Sequence, residues 1–182
     1  MKLFLFALAF FGLTTTSSAE IEKIGEPCET GICLYCWPKL PAVAHWHHER
    51  GPSLKYGANT LARDGTTFMD ADTVMYAKAL YKPRIPGTTS LDVVLMNNDK
   101  EQFVRDTPVV KRSEVKALKT GDGQILRSFT FFPATQGNWE RVSYGEEDDF
   151  YLIFTISSRT KSGYDKALPA YEAMINAYRK TR

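Results

Sequence analysis

All three cysteines and all three histidines of the 182-residue chain fall in one short stretch, as Cys28, Cys33, Cys36, His45, His47 and His48, with Glu49 adjacent. The order C-x4-C-x2-C followed by H-x-H-H supplies thiolate and imidazole, donors that suit zinc or copper, so these six are the candidate metal ligands. The thiols have a competing use. In an oxidising compartment Cys33 and Cys36 would most simply close a disulfide; the spacing alone does not choose among Cys28, Cys33 and Cys36, and any pairing leaves one thiol over. A thiol-redox role would need Cys33 at a helix N-terminus, which Trp37, Pro38 and Pro41 oppose. Trp37 also stands where covalent haem attachment requires a histidine after the C-x-x-C pair. Strand alternation would put His45 and His47 on one face and Trp46 and His48 on the other. A two-histidine metal grip therefore competes with an arrangement in which Trp46 enters the core and the histidines rim it.

Other reactive groupings are sparse. The acidic run Glu146, Glu147, Asp148, Asp149 lacks the spacing of a calcium loop and reads as a solvated hairpin turn. Gly121-Asp122-Gly123 is turn chemistry, since no helical pattern follows it to cradle a phosphate. No G-x-S-x-G elbow is present, and a Ser/His/Asp triad would have to borrow a histidine from near the leader. The expectation is a protein without catalytic residues. Aromatics abound on expected strands (Tyr76, Tyr81, Phe129, Phe131, Tyr144, Tyr151, Phe154), mostly as core, with a stripe on an open sheet face as a possible binding surface.

The elements that must position these groups start with an export segment. Lys2 precedes an unbroken apolar run from Leu3 to Leu13, too short to span a bilayer, and Ser17 and Ala19 place a cleavage site before Glu20. Residues 1–19 are expected to be a removable signal peptide, and the mature protein to be periplasmic or secreted, without a membrane span. Formal net charge is +2, with acids and bases interspersed, so the basic stripe needed for nucleic-acid binding is missing.

Residues 20–44, rich in Gly, Pro, Glu and Cys, show neither helical nor strand period and read as an irregular leader, followed by one domain over 45–182. Leu54, Tyr56 and Ala58 alternate with polar residues and predict a strand over 53–61; a second strand is predicted over 73–81, ended by Lys82-Pro83. Thr89 and Asp92 form a capping box for a helix over 90–105. Two hairpins follow, 109–118 with 124–132 and 139–144 with 150–158. Tyr164, Leu168, Tyr171, Ile175 and Tyr178 make one helical stripe, opened by Ser162 and Asp165, in which Pro169 either kinks the helix or marks its first turn. The order predicts an α+β fold: an antiparallel sheet with helices packed on it.

Phe68, Asp70-Ala71, Val74-Met75-Tyr76-Ala77, Tyr81, the acidic turn before Phe150-Tyr151, and Phe154-Thr155-Ile156-Ser157-Ser158-Arg159 with its closing amphipathic helix carry a resemblance. From Trp46 to Tyr178 the chain is similar to bacterial exported proteins of the Mog/PsbP-like class. The resemblance implies an antiparallel sheet sandwiched by helices, and a role in binding or assembly through a protein partner in the envelope. It assigns no binding residues and does not reach the Cys-rich segment. The two functional expectations are a non-enzymatic binding or assembly protein and a metal-binding (Zn or Cu) or thiol-active protein using Cys28 to His48.

Overall fold

A computed structural model describes residues 21–29, 31–85, 90–91, 101, 105, 110–135 and 137–180. Two sheets are present among them. A hairpin pairs β1 (Ile21–Cys28) with β2 (Gly31–Pro38), and seven antiparallel strands form the main sheet. These are β3 (Trp46–His48), β4 (Asn59–Arg63), β5 (Thr73–Tyr81), β6 (Lys111–Lys119), β7 (Ile125–Phe132), β8 (Trp139–Glu147) and β9 (Phe150–Ser158), in the order β3-β4-β5-β9-β8-β7-β6. Helix α1 (Arg50–Tyr56) joins β3 to β4, and α2 (Lys161–Ala177) follows β9. The fold is mixed α+β, as the element order predicts.

The strand at the centre explains the architecture. β9 is buried along its whole length, which is why Phe150-Tyr151-Leu152-Ile153-Phe154 reads as a continuous apolar run rather than an alternating one. Its neighbours alternate. Thr73, Met75, Ala77 and Ala79 of β5 are buried on one face, while Val74, Tyr76, Lys78 and Leu80 are half-buried on the other. The first face carries Leu61, Met75, Leu126, Leu152, Phe154 and Ile156, sealed by Tyr164, Tyr171, Met174, Ile175 and Tyr178 of α2 and its end. Leu40, Trp46 and the base of the hairpin, through Ile21 and Cys36, complete that seal, and β2 packs against β5. The opposite face gathers Phe129, Phe131, Val142, Tyr144, Tyr151 and Ile153, against which Leu80, Ile85, Leu91 and Val110 pack.

Three expectations are corrected. The leader is not irregular, because 21–38 form a regular hairpin in full antiparallel register from Ile21–Pro38 to Cys28–Gly31. The strand expected over 53–61 is instead α1 followed by β4. Ser53 Oγ donates to the Glu49 carbonyl (2.7 Å) and accepts from Thr60 N–H (3.0 Å), closing a helical turn, and Gly57 at φ 60° reverses the chain in a left-handed cap. Three residues of apparent alternation fit a helix of two turns equally well. The closing helix starts two residues earlier than Ser162: Thr160 caps it, its hydroxyl accepting from Gly163 N–H at 3.0 Å.

Pro169 lies in the helix interior, on its exposed side, rather than in the first turn. Of the helix expected over 90–105 only Ser90, Leu91, Glu101 and Arg105 are described. The signal segment 1–19 lies outside the described residues. The two hairpins β6–β7 and β8–β9 form as expected, with β8 reaching Glu147.

Candidate functional site

The Cys/His stretch does not converge on one point. Cys28 and Cys33 form a disulfide across the hairpin end, with their Cα atoms 5.8 Å apart, and Cys36 is the thiol left over. Cys33 and Cys36 cannot pair within a regular strand: three residues apart, they face opposite sides of β2. Cys36 points toward the main core, while Trp37 on the other hairpin face is buried and donates from Nε1 to Glu22 Oε2 at 2.9 Å. Trp46 enters the core at 8% exposure and His45, at φ 67°, precedes the strand.

His47 and His48 then point to opposite faces. His47 Nε2 lies 3.4 Å from Glu49 Oε1 and its Nδ1 3.4 Å from Asp64 Oδ1. His48 Nδ1 lies 2.8 Å from Asn59 Oδ1, and Asn59 Nδ2 donates to the Pro38 carbonyl at 3.0 Å, tying the hairpin's end to the sheet. Among the described residues no group of three or more His, Cys, Asp or Glu side chains is placed to hold a metal ion. Of the six candidate ligands, Cys28 and Cys33 form a staple on the hairpin, Cys36 packs against the core, His47 and His48 meet polar partners on opposite faces of the main sheet, and His45 lies before β3.

The acidic turn is also less solvated than expected. Glu147 folds inward to 5% exposure and accepts from Tyr178 Oη at 2.6 Å. Glu146 instead pairs with Lys82 Nζ at 2.7 Å.

A cavity that could receive a ligand lies on the face away from α2. It is a cleft of about 300 Å³ floored by Thr60, Val74, Tyr76, Lys78, Ser157 and Glu140 from four adjacent strands. Tyr56 from the end of α1 and Phe68 from the loop between β4 and β5 form its wall, their ring centroids 5.4 Å apart. Glu49 sets that loop by accepting from Phe68 N–H at 2.9 Å. Thr60 is fixed from below, its hydroxyl donating to the Glu49 carbonyl at 3.0 Å and lying 3.0 Å from Ser53 Oγ.

The charges of the cleft divide by register. At one end Glu140 stands opposite Ser157, which stands opposite Val74; Asp72 and Arg159 lie at the same end. Asp72 Oδ2 is committed to the Thr160 hydroxyl (2.9 Å), and Arg159 donates to the Met69 carbonyl (2.5 Å). Four residues along β5 from Val74, roughly 13 Å at 3.3 Å per residue, stands Lys78. It is half-buried and has no hydrogen-bond or ion-pair partner among the described residues.

The sealed face treats its polar groups differently. Tyr171, fully buried, donates to the Phe154 carbonyl at 2.9 Å and lies 2.8 Å from Ser143 Oγ, which in turn lies 2.7 Å from Ser128 Oγ. Burial pushes the Tyr164 phenol up to about 12 and raises those of Tyr171 and Tyr178 further, so all three stay neutral. The hydroxyls of Tyr171 and Tyr178 are structural, with partners in place.

The residue types and spacing in the sequence give no warning of Lys78, Tyr56 or Glu140, although Lys78 shares the alternation phase of Tyr76, the phase opposite to the core. No protein-family model and no curated protein matches this chain.

Proposed function

We propose that the chain is an exported, non-enzymatic binding or assembly protein of the cell envelope, Mog/PsbP-like in architecture, that engages a partner through the cleft on the open face of its sheet. The observation that carries this reading is the composition of the cleft. An aromatic wall, a hydroxyl-bearing sheet floor and a cation without a counter-charge among the described residues meet in a volume at the lower end of ligand sites. Export is supported by the signal-like N-terminus together with the disulfide of the hairpin, a bond that persists in oxidising compartments. No helix among the described residues is long and apolar enough to cross a membrane.

The test is site-specific photo-crosslinking in an exporting bacterium, with the photoreactive residue placed in turn at Phe68 in the cleft wall and at Ile125, 60% exposed at the start of β7 near the far edge of the sheet. The expected result is a discrete adduct from position 68 and not from 125, on a mature protein whose mass begins at Glu20. Equal labelling from both positions, or none from 68, would count against the cleft as the contact.

A further inference from the structure

Within that cleft, and resting on the reading of it as the binding site, we infer that Lys78 is the specificity-determining residue and that it receives a carboxylate joined to an aromatic or apolar group seated against Tyr56 and Phe68.

The reasoning starts from the cost of the ammonium. A cation drawn half out of water loses hydration, and folded proteins usually restore that loss with an anion or carbonyl partner. Lys78 has none among the described residues, and its strand neighbours cannot supply one. Ile153 stands opposite it across β9, and Leu80, next on the same face, is apolar. The nearest acid further along this face, Glu146, is taken by Lys82, which also lies over the Tyr151 ring at 5.0 Å. Asp72, at the other end, is held by hydroxyl donors.

The cleft is therefore polarised along β5: at one end the two carboxyl groups of Asp72 and Glu140 outnumber the one guanidinium of Arg159, which donates to the Met69 carbonyl, and at the other stands the ammonium of Lys78. An anionic ligand is repelled from the first end and drawn to the second, which fixes its direction. The ring pair of Tyr56 and Phe68 offers a flat apolar surface beside that path, suited to an aromatic or branched side chain. A phosphate would be better matched by several donors or a guanidinium fork, whereas one ammonium suits a single carboxylate.

This chemistry is shared by the C-terminus of a peptide ending in an apolar residue, by a glutamate or aspartate side chain within a peptide, and by a free aromatic acid. Titration of the folded mature protein, followed by amide chemical shifts, separates them. The probes are N-acetyl-phenylalanine, its C-terminal amide, an amidated peptide with internal Glu-Phe, and phenylacetate.

N-acetyl-phenylalanine is expected to bind and to weaken roughly tenfold or more in Lys78→Gln, the scale of one charge-assisted hydrogen bond, with Lys78→Arg largely restoring it. Its amide should bind weakly and equally to both proteins, and Tyr56→Ala should weaken acid and amide alike. Which carboxylate probe binds tightest names the source. If Lys78→Gln binds the acid as the parent does, or the amide matches the acid, the inference falls while the cleft remains the binding site. If no carboxylate probe shifts cleft resonances at millimolar concentration, the inference falls as well. Loss of the crosslink at Phe68 is the separate result that removes the underlying reading. Unchanged circular dichroism of each variant excludes misfolding as the cause.

Discussion

The two faces of the seven-stranded sheet are built from the same strands, yet they use polar groups in opposite ways. Under α2, each buried phenol of Tyr171 and Tyr178 has a partner on the neighbouring strands, and the face is closed by the helix and the hairpin base. On the opposite face, one side chain further along the same backbone, Lys78 stands in a cleft without a partner among the described residues. A buried polar group that serves stability is satisfied internally, because leaving it unmade costs about 1–3 kcal/mol. A polar group left open beside an aromatic wall has no such internal role, and on the proposal above it is the group that meets a ligand. The period of two along β5 is what lets a single strand serve both purposes.

The sharpest way to break this comparison uses adjacent residues. Met75 is fully buried on the sealed face, and Val74, its neighbour, is half-buried in the cleft. Met75→Ala is expected to destabilise the protein by about 2–5 kcal/mol through lost transfer energy and a cavity, and Val74→Ala by about 1 kcal/mol or less. Chemical denaturation of the two variants decides it: equal losses would mean that the cleft face is as much a packed core as the other.

Removing the staple is the next test. The Cys28–Cys33 bond closes a short loop, and its replacement by paired serines should cost about 2 kcal/mol on the chain-entropy account. The loss should be confined to the hairpin side of the sealed face. Hydrogen exchange should speed in β1 and β2 and in Asn59, whose amide reaches Pro38, while β7 and β8 keep their protection. Uniform deprotection would show that the hairpin is an integral layer of the main core instead of a stapled cover.

What could be read beforehand follows the same division between local and assembled features. β5, the hairpins β6–β7 and β8–β9, and the tyrosine stripe of α2 announce themselves because alternation, helical spacing and turn residues are local. The β1–β2 hairpin escapes notice because Ile21, Ile24, Ile32 and Leu34 are diluted by Gly25, Pro27 and Gly31, and its order comes from a disulfide and from stacking on β5. α1 was indistinguishable from a strand over the few residues around Leu54, and the left-handed cap at Gly57 decides between them. The clustering of Cys and His near the N-terminus is conspicuous in sequence but is dispersed by the fold onto two sheets. The cleft has the reverse character: Tyr56, Phe68, Lys78, Glu140 and Ser157 come from well-separated parts of the chain, and only strand pairing brings them together.

The smallest expected effect sits at the margin of the sealed face, where its rule of internal satisfaction meets a titratable group. Burial raises the Glu147 carboxyl above its ordinary range, opposed by the hydrogen bond from Tyr178 and the charge of Lys180. A carboxyl raised in the folded state adds stability below its unfolded pKa, about 4.3, and that contribution is lost as pH rises through the folded value. Asp122 in the neighbouring turn runs the other way. Burial works to raise it, but hydrogen bonds from the Thr120 hydroxyl and the Lys180 and Gln124 backbone outweigh burial and hold it low. Its contribution is present above the unfolded pKa and lost as pH falls through the folded value. Melting temperatures between about pH 4 and 7 should therefore show Glu147→Gln gaining on the parent as pH rises, since the amide keeps accepting from Tyr178 without a buried charge. Asp122→Asn should show a constant deficit across that range, and regain ground on the parent only as pH falls below about 4. A Glu147→Gln difference that stays flat with pH would mean that the carboxyl is solvated at this corner, and that the seal under α2 ends before Tyr178.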